Sequence, residues 1–394
     1  MQRLRDCNQL GVCENLYMNA THNRFEHSMG VSYLAGKMCK RLQTRQPQLE
    51  ISEKDVLCVT IAGLYHDLGH GPFSHTFDGE FPKQLIAKGR LREEDKWNHE
   101  EISLRMIDAA LRFLGLRINK NELDKPLEQI RDGIDTNFFG VYSVCDPYPM
   151  ENVLTSLDFI FIKECILGKP LDGLCDFIGR ERGKEFLYDI VNNVQSGLDV
   201  DKMDYFAHDR RKVMGSGEVD VILLEEAFVA KGACDDPNEC VRCRNHSSCS
   251  KLPRGMHLMI CYPNELITKA MDFFKNRFSL HTQVYTHKTA KAVEYMICDI
   301  LLLAEDHIDL RNTYDGVLLA GEPRHCRISE AMKHPTAYLN LTDSIINIIA
   351  SSPKEDLVPA QRLIDRLRAR DLYKCISSER IKRSDKKYMG YERR

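Results

Sequence analysis

The sequence has few features that would place it in a membrane or on a nucleic acid. It has no run of about 18 apolar residues, the length that a membrane-spanning helix needs. Its N-terminus, MQRLRD, has no apolar stretch typical of a secretory signal, so we expect neither a signal peptide nor a membrane partner. The 55 basic and 58 acidic residues leave a net charge of −3, so any contact with nucleic acid would need a local basic patch.

Cysteine is abundant, but the cysteines do not form a disulfide framework. Fifteen of them are scattered along 394 residues, which is typical of a reduced, intracellular protein of the nucleus or cytoplasm. Four lie in or beside one loop, at Cys234, Cys240, Cys243 and Cys249. The loop has only one C-x-x-C pair and irregular spacing, so we favour reduced surface thiols over a structural zinc site, the alternative.

The apolar periodicity predicts a mainly α fold with a small β-hairpin. One helix covers Ser28 to Leu42, a second begins at the Ser52–Asp55 capping box and ends at Gly69, and Asn98 caps a third. Further helices are predicted over 184–196, 201–212, 219–231, 264–284, 286–306, 338–351 and 356–370. The stretch from Met256 to Tyr262 is predicted to be a strand.

Three regions are expected along the chain. Residues 1–310 would form a catalytic domain, in which 232–255 is the cysteine-containing loop insertion. Residues 311–378 would form the start of a second, helical lobe, which we expect to be truncated. Residues 379–394 form a basic tail, which is either solubilising or a weak contact for single-stranded nucleic acid.

A cluster of ionisable residues lies between 66 and 78, with three histidines and two aspartates. Each residue alone could be a hydrogen-bonded core or surface group. Burying all of them is costly unless a metal or a substrate uses them. His66 and Asp67 are adjacent at a helix end, where both side chains can turn towards one ion. Imidazole and carboxylate ligands together suit a borderline divalent metal.

Two other stretches could complete such a site. His27 lies at the start of the first helix, just after Arg24, and it could bind the same ion or simply cap the helix. Further along, Asp201, Tyr205 and Asp209 share one helix face by their four-residue spacing. They could line a pocket or form a solvated acidic helix start.

Three motifs in this order resemble those of the HD-domain deoxynucleoside triphosphate (dNTP) triphosphohydrolases. They are H-N-R-F-E-H-S at 22–28, I-A-G-L-x-H-D-L-G-H-G-P-F-S-H-x-F-D-G at 61–79, and D-V-D-K-x-D-Y-F-A at 199–207. The resemblance runs from residue 1 to about 375 and is greatest to the eukaryotic members that also have a SAM domain, which we do not expect here. It implies an HD-domain helical fold and metal-dependent hydrolysis of dNTPs to deoxynucleoside and inorganic triphosphate, controlling dNTP pools.

The resemblance also implies roles for individual residues. The metal ligands would be His27, His66, Asp67 and Asp201. The catalytic residues would be His70, His75 and His99, with Asp78 orienting His75. The triphosphate would be held by Arg24, Lys202 and Arg277. The deoxyribose would be held, and a 2′-hydroxyl excluded, by Gln9, Leu10, Tyr205, Asp209 and Tyr285. Part of a site for an activating GTP or dNTP would remain at Gln2, Arg5 and Lys288.

The resemblance further implies a homo-oligomer, a dimer or tetramer. Zinc, iron, manganese and magnesium all stay open as the metal. Two positions depart from the family pattern: Thr286 replaces a glutamine and His208 replaces an arginine. Two alternatives remain. One is another HD-domain phosphohydrolase, which would release orthophosphate or pyrophosphate, and the other is a catalytically silent paralogue that binds nucleotide or nucleic acid.

Overall fold

The computed structural model describes residues 1–113, 154–171, 177–234, 255–310 and 326–375, and these are mostly helical. The predicted mainly α fold with a β-hairpin is confirmed. The helices are α1 Arg24–Arg45, α2 Glu53–Tyr65, α3 Phe81–Ala87, α4 His99–Phe113, α5 Ser156–Leu167, α6 Val200–Met214, α7 Val221–Glu226, α8 Ile267–Leu280, α9 Lys288–Ala304, α10 Pro335–Leu339, α11 Ile345–Ser351 and α12 Val358–Arg368. The strands are β1 Phe228–Ala233 and β2 Met256–Cys261.

Helices α1 and α2 pack together at the centre. The predicted start of α2 is confirmed, whereas α1 begins at Arg24 rather than at Ser28. The Asn23 side chain accepts a hydrogen bond from the Glu26 amide and so begins α1. Ser52 and Asp55 form the expected reciprocal capping box at the start of α2. Helix α2 also packs on α5, and α1 packs on α6. This arrangement brings the three sequence motifs, on α1, α2 and α6, side by side.

Gly30 allows α6 to approach α1 closely. A Cβ atom at this position would lie 2.0 Å from Oδ1 of Asp204, which no side chain could accept. Glycine therefore lets the Asp204 carboxylate sit against the α1 backbone, one helical turn from His27.

Several predicted element boundaries were wrong. Helix α2 ends at Tyr65 rather than at Gly69. The predicted helix over 184–196 is only a 3₁₀ turn, Glu185–Asp189, because Asn193 accepts hydrogen bonds from the amides of residues 195 and 196 and turns the chain. Residues 338–351 form two short helices rather than one.

The β-hairpin corrects the prediction for 219–231. Only Val221–Glu226 is helical there, and β1 follows from Phe228 and pairs antiparallel with β2. The strand predicted near Met256 is confirmed. Most of the intervening cysteine-containing loop, with Cys240, Cys243 and Cys249, lies outside the described residues, and so does the basic tail. No helix in the described part of the chain is long and apolar enough to cross a membrane.

Residues 326–375 fold back onto the rest of the structure. Helix α12 packs on α9, and α10 packs on α4. Tyr338 and Ile345 are fully buried in these contacts. Buried residues of 326–375 belong to the same hydrophobic core as residues before 310. The predicted domain boundary at residue 310 stays a prediction.

Candidate active site

Three of the four side chains expected to bind a metal, His27, His66 and Asp201, lie close enough together to share one ion, and Asp67 lies beside both histidines. Nε2 of His27 lies 3.0 Å from Oδ1 of Asp201 and 3.5 Å from Oδ2 of Asp67. Nε2 of His66 lies 3.2 Å from Nε2 of His27, 3.3 Å from Oδ1 of Asp67 and 3.4 Å from Oδ1 of Asp201. An ion with bonds of about 2.0–2.2 Å to each ligand places neighbouring ligand atoms about 3.0–3.5 Å apart. Spacing and donor chemistry therefore fit a single divalent metal.

The far sides of the two imidazoles are anchored, as metal-binding histidines require. Nδ1 of His27 lies 2.8 Å from Oδ2 of Asp204, and Nδ1 of His66 donates to the carbonyl of Gly63 at 2.8 Å. These bonds leave the two Nε2 lone pairs facing the shared point. His208 lies 3.0 Å from the same Asp204 oxygen, so the residue that departs from the family pattern supports this carboxylate.

Three histidines form a second group beside the first. His70 and His99 stack with ring centroids 3.8 Å apart, and His75 meets both rings edge-on. Asp78 was expected to orient His75, and one of its oxygens lies 3.4 Å from that ring. Its other oxygen lies 2.5 Å from Nδ1 of His99, so the stronger partner of Asp78 is His99.

The stacked histidines have opposite pKa shifts. Burial, reinforced by Arg24 and His99, holds the pKa of His70 well below its ordinary value. Burial alone would also lower the pKa of His99, but the Asp78 carboxylate outweighs it and raises that pKa to about 9. At neutral pH we therefore expect His70 to be neutral and His99 to be protonated and positively charged.

Both groups open into a cavity of about 600 Å³. Almost all the predicted site residues line it: His66, Asp67, His70, His75, His99, Asp201, Gln9, Leu10, Arg24, Lys202, Tyr205, Asp209, Arg277 and Tyr285. His27 and Asp78 do not line it but contact residues that do.

The three basic side chains expected to bind the triphosphate, Arg24, Lys202 and Arg277, all line the cavity, but they differ in their partners and exposure. Nη1 of Arg24 is 2.5 Å from Asp67, and its Nε donates to Ser74, so Arg24 is already engaged within the wall. Nζ of Lys202 is 2.6 Å from the buried Asp199 carboxylate. Arg277 is exposed. The cavity therefore has a fixed cation beside the metal ligands and a solvent-facing one on α8.

Another group of cavity side chains is suited to a sugar. Tyr285 donates to the buried Asp209 carboxylate at 2.5 Å, and Nε2 of His22 lies 2.7 Å from the other oxygen of Asp209. Oε1 of Gln9 is buried and has no hydrogen-bond partner among the described residues. An unpaired buried acceptor of this kind is costly unless a ligand donates to it.

Sequence reasoning gave no role to two residues of this site. His22 and Asp204 were inside the quoted motifs, but neither was singled out. The available signal for Asp204 was its position three residues after Asp201, on the same side of α6. His22 gave no comparable signal, because its pairing with Asp209 spans 187 positions.

The expected activator residues lie away from the cavity. Nε of Arg5 donates to Oε1 of Gln2 at 2.7 Å, and its guanidinium stacks on Phe25 at 3.8 Å. Both residues are exposed, as is Lys288 at the start of α9. Thr286 lines the cavity and donates its hydroxyl to the carbonyl of His281.

Comparisons with known proteins give a consistent picture. A profile of the HD domain matches residues 24–137. Deoxynucleoside triphosphate triphosphohydrolase SAMHD1 of Mus musculus is 35% identical over 397 residues, covering 100% of this chain and 52% of that protein. The Homo sapiens protein of the same name is 36% identical over 395 residues, covering 98% and 53%. A homolog from Dictyostelium discoideum is 31% identical over 375 residues. The chain spans about half the length of the curated relatives it matches.

Proposed function

Because the chain contains an HD domain and is about 35% identical over its whole length to dNTP triphosphohydrolases, we propose that it hydrolyses dNTPs to deoxynucleoside and inorganic triphosphate. The observation that carries this proposal is the convergence of His27, His66, Asp67 and Asp201 at the wall of a cation-lined cavity. A metal and a polyanion would meet there.

The proposed roles follow from the position and charge of each side chain. A divalent ion held by the four ligands would supply Lewis-acid chemistry, lowering the pKa of water beside the α-phosphorus. A triphosphate carries about four negative charges, so it needs cations wherever it is bound away from water. Arg24, Lys202 and Arg277 would supply them. Arg24 would also hold Asp67 in place, as it does through their ion pair.

The histidine group would handle the proton of the leaving group. His99 keeps its proton near neutral pH, and it reaches the cavity beside His70 and His75. We assign it, with His75, to protonating the departing 5′-oxygen. The neutral His70 would serve as a hydrogen-bonding wall rather than as an acid.

Selection of the sugar is assigned to Asp209, Gln9 and Tyr285. The 3′-hydroxyl would donate its hydrogen bond to Asp209 or to Gln9, and the Tyr285 ring would fill the space that a 2′-hydroxyl needs.

We propose regulation and assembly from the resemblance to the HD-domain dNTP triphosphohydrolases. A GTP or dNTP activator would use Gln2, Arg5 and Lys288, and the full protein would form a homo-oligomer. Because the chain covers about half of its relatives' length, the assay below includes GTP.

The test is identification of the products formed from a dNTP mixture, with and without GTP, by mass spectrometry. We expect deoxynucleosides together with inorganic triphosphate. A double variant, His66→Ala with Asp67→Ala, should abolish this turnover and the bound metal, whereas His307→Ala, outside the cavity, should change neither. Orthophosphate or pyrophosphate as product would indicate a different phosphohydrolase. Nucleotide binding without turnover would indicate a silent paralogue.

A further inference from the structure

The loop that carries His70 and His75 has a strained backbone. It follows α2 and turns at Phe73 and Ser74, whose φ angles are +57° and +54°. Residues other than glycine rarely adopt this left-handed conformation, because the Cβ atom crowds the backbone. Such a turn persists only when its surroundings hold it, so the groups that bind this loop determine where the two histidines point.

One carboxylate, Asp343, binds this turn from the far end of the described chain. Its Oδ1 accepts a hydrogen bond from the Phe73 amide at 2.7 Å, and its Oδ2 accepts one from the Asn8 amide at 2.9 Å. Ser74 closes the junction by donating to the Asn8 carbonyl at 2.6 Å. Asp343 therefore joins the histidine loop to the segment that carries Gln9 and Leu10.

Two more side chains bind the carbonyls just before the turn. The Tyr338 hydroxyl donates to Gly69 at 2.7 Å. The buried Arg3 guanidinium donates to Leu68 at 3.0 Å and to His70 at 2.7 Å, and also to Leu341 at 2.7 Å. Arg3, Tyr338 and Asp343 all lie outside the loop that they bind, and Tyr338 and Asp343 lie beyond residue 310.

We propose that Asp343 is a positioning residue: through its two backbone hydrogen bonds it holds the histidine loop and the Gln9 segment in the geometry that catalysis requires. The catalytic part of this inference rests on the proposed function, whereas the structural part does not. Both printed hydrogen bonds of the Asp343 side chain go to backbone amides, so it acts on where the two segments lie, and with them on the histidines and on Arg24, which bonds to Ser74 and to the Gln9 carbonyl.

The chemistry of the carboxylate explains why this position is specific. Its two oxygens each accept from one amide on a different segment. An asparagine has nearly the same shape but only one acceptor oxygen, and its NH₂ group would face the second amide. Asp343→Asn therefore breaks one of the two bonds without removing volume.

The experiment compares the full chain with Asp343→Asn and with Ser344→Ala as the matched control. Ser344 is the next residue, and its hydroxyl pairs with Thr342 rather than with the loop. Hydrogen–deuterium exchange should show at least about tenfold faster exchange in peptides covering 68–77 or 6–10 of Asp343→Asn. Peptides from α2 and the control variant should exchange at the wild-type rate.

Kinetics provide the second readout. We expect kcat of Asp343→Asn for dNTPs to fall by about 10- to 100-fold, because misplaced catalytic groups cost rates of that order. Metal content should stay at the wild-type value, since His27 lies on α1, Asp201 lies on α6, and the loop turn that Asp343 holds comes after His66 and Asp67.

The outcomes are separable. Unchanged exchange in the two peptides, or faster exchange spread over the whole chain, would overturn the proposal whether or not the protein hydrolyses dNTPs. A fall in kcat that only matches a loss of bound metal would also overturn it. If the wild-type chain releases no triphosphate, the proposed function fails, and the exchange measurement alone then decides whether Asp343 holds the loop.

Discussion

His70 and His99 stack on each other, yet we expect only His99 to be positively charged at neutral pH. The difference comes from their charged neighbours, since the Asp78 carboxylate lies 2.5 Å from Nδ1 of His99, whereas Arg24 and His99 add to the effect of burial on His70. With its raised pKa, His99 is suited to act as a general acid in the proposed cleavage of a phosphate ester. At the scale of single residues, burial and the charges around each ring therefore set the protonation states on which the proposed roles of the histidines rest.

Replacing Asp78 tests this assignment. Asp78→Asn removes the charge that outweighs burial, so we expect the pKa of His99 to fall from about 9. The pKa of His99 in the folded state lies above its unfolded value of about 6.5. The His99–Asp78 pair therefore stabilises the folded protein fully below about pH 6.5, and this contribution is lost as the pH rises towards 9. The difference in unfolding free energy between wild type and variant should therefore shrink over that range in urea titrations.

The control for this titration is the exposed Asp95, which pairs with Arg92 at the surface. Asp95→Asn should give a difference that does not vary between pH 6.5 and 9. A constant difference for Asp78→Asn as well would contradict the assignment of the proton to His99.

The sugar wall gives a second test at this scale. Tyr285→Ala removes the ring proposed to occupy the space of a 2′-hydroxyl, so we expect kcat/KM for ribonucleotides relative to deoxyribonucleotides to rise about tenfold or more. Tyr285→Phe keeps the ring and loses only the bond to Asp209, so it should keep the discrimination. Equal ratios in wild type and Tyr285→Ala, measured with dGTP and GTP as substrates, would refute this role.

At the scale of elements, the turn after α2 depends on a close approach to α4. A Cβ atom at Gly69 would lie 2.1 Å from the His99 carbonyl oxygen and 2.3 Å from the Ser103 amide. Ser103 bridges the same elements, accepting from the Gly69 amide at 2.8 Å and donating to the His66 carbonyl at 2.7 Å. The start of α4, with His99, is thus fixed against the metal ligands.

We therefore expect Gly69→Ala to destabilise the protein by about 1–3 kcal/mol or more, because the neighbouring atoms are backbone and cannot move aside cheaply. Gly79→Ala is the matched control, since a Cβ atom there would have nothing within 4 Å. Urea denaturation of both variants measures the difference. Equal stabilities would show that α4 can shift away from the turn without cost.

Local capping signals predicted the starts of α2 and α4, whereas α1 begins at Arg24 rather than at the predicted Ser28. Asn98 caps α4 as expected, its side chain accepting from the Glu101 amide at 2.8 Å. The failure over 184–196 has a different cause: that sequence is apolar enough for a helix, but Asn193 and the αL residue Gly197 turn it towards α6. Most of the candidate site was identified through short motifs, whereas Asp343 joins the site across 270 positions and has no local signal.

At the scale of the whole molecule, the segment 326–375 is part of the structure that holds the site. It packs α12 against α9 and carries Tyr338 and Asp343 to the histidine loop. A catalytic domain ending at residue 310, as the sequence predicted, would lose both contacts and expose the apolar face of α9.

We expect a fragment 1–310 to unfold at a temperature lower than that of the full chain by more than about 5 °C, or to aggregate. Circular dichroism melting and size-exclusion chromatography check this. A monodisperse fragment with the melting temperature of the full chain would support an independent domain ending at residue 310.

In the proposed reaction, water attacks the α-phosphorus and the bond from that phosphorus to the 5′-oxygen breaks. We would hydrolyse dGTP in water enriched in oxygen-18, in the presence of GTP, and read the products by mass spectrometry. We expect one labelled oxygen in the released inorganic triphosphate and none in the deoxyguanosine. Label in the deoxyguanosine, or label in orthophosphate or pyrophosphate instead, would show that the proposed reaction is wrong.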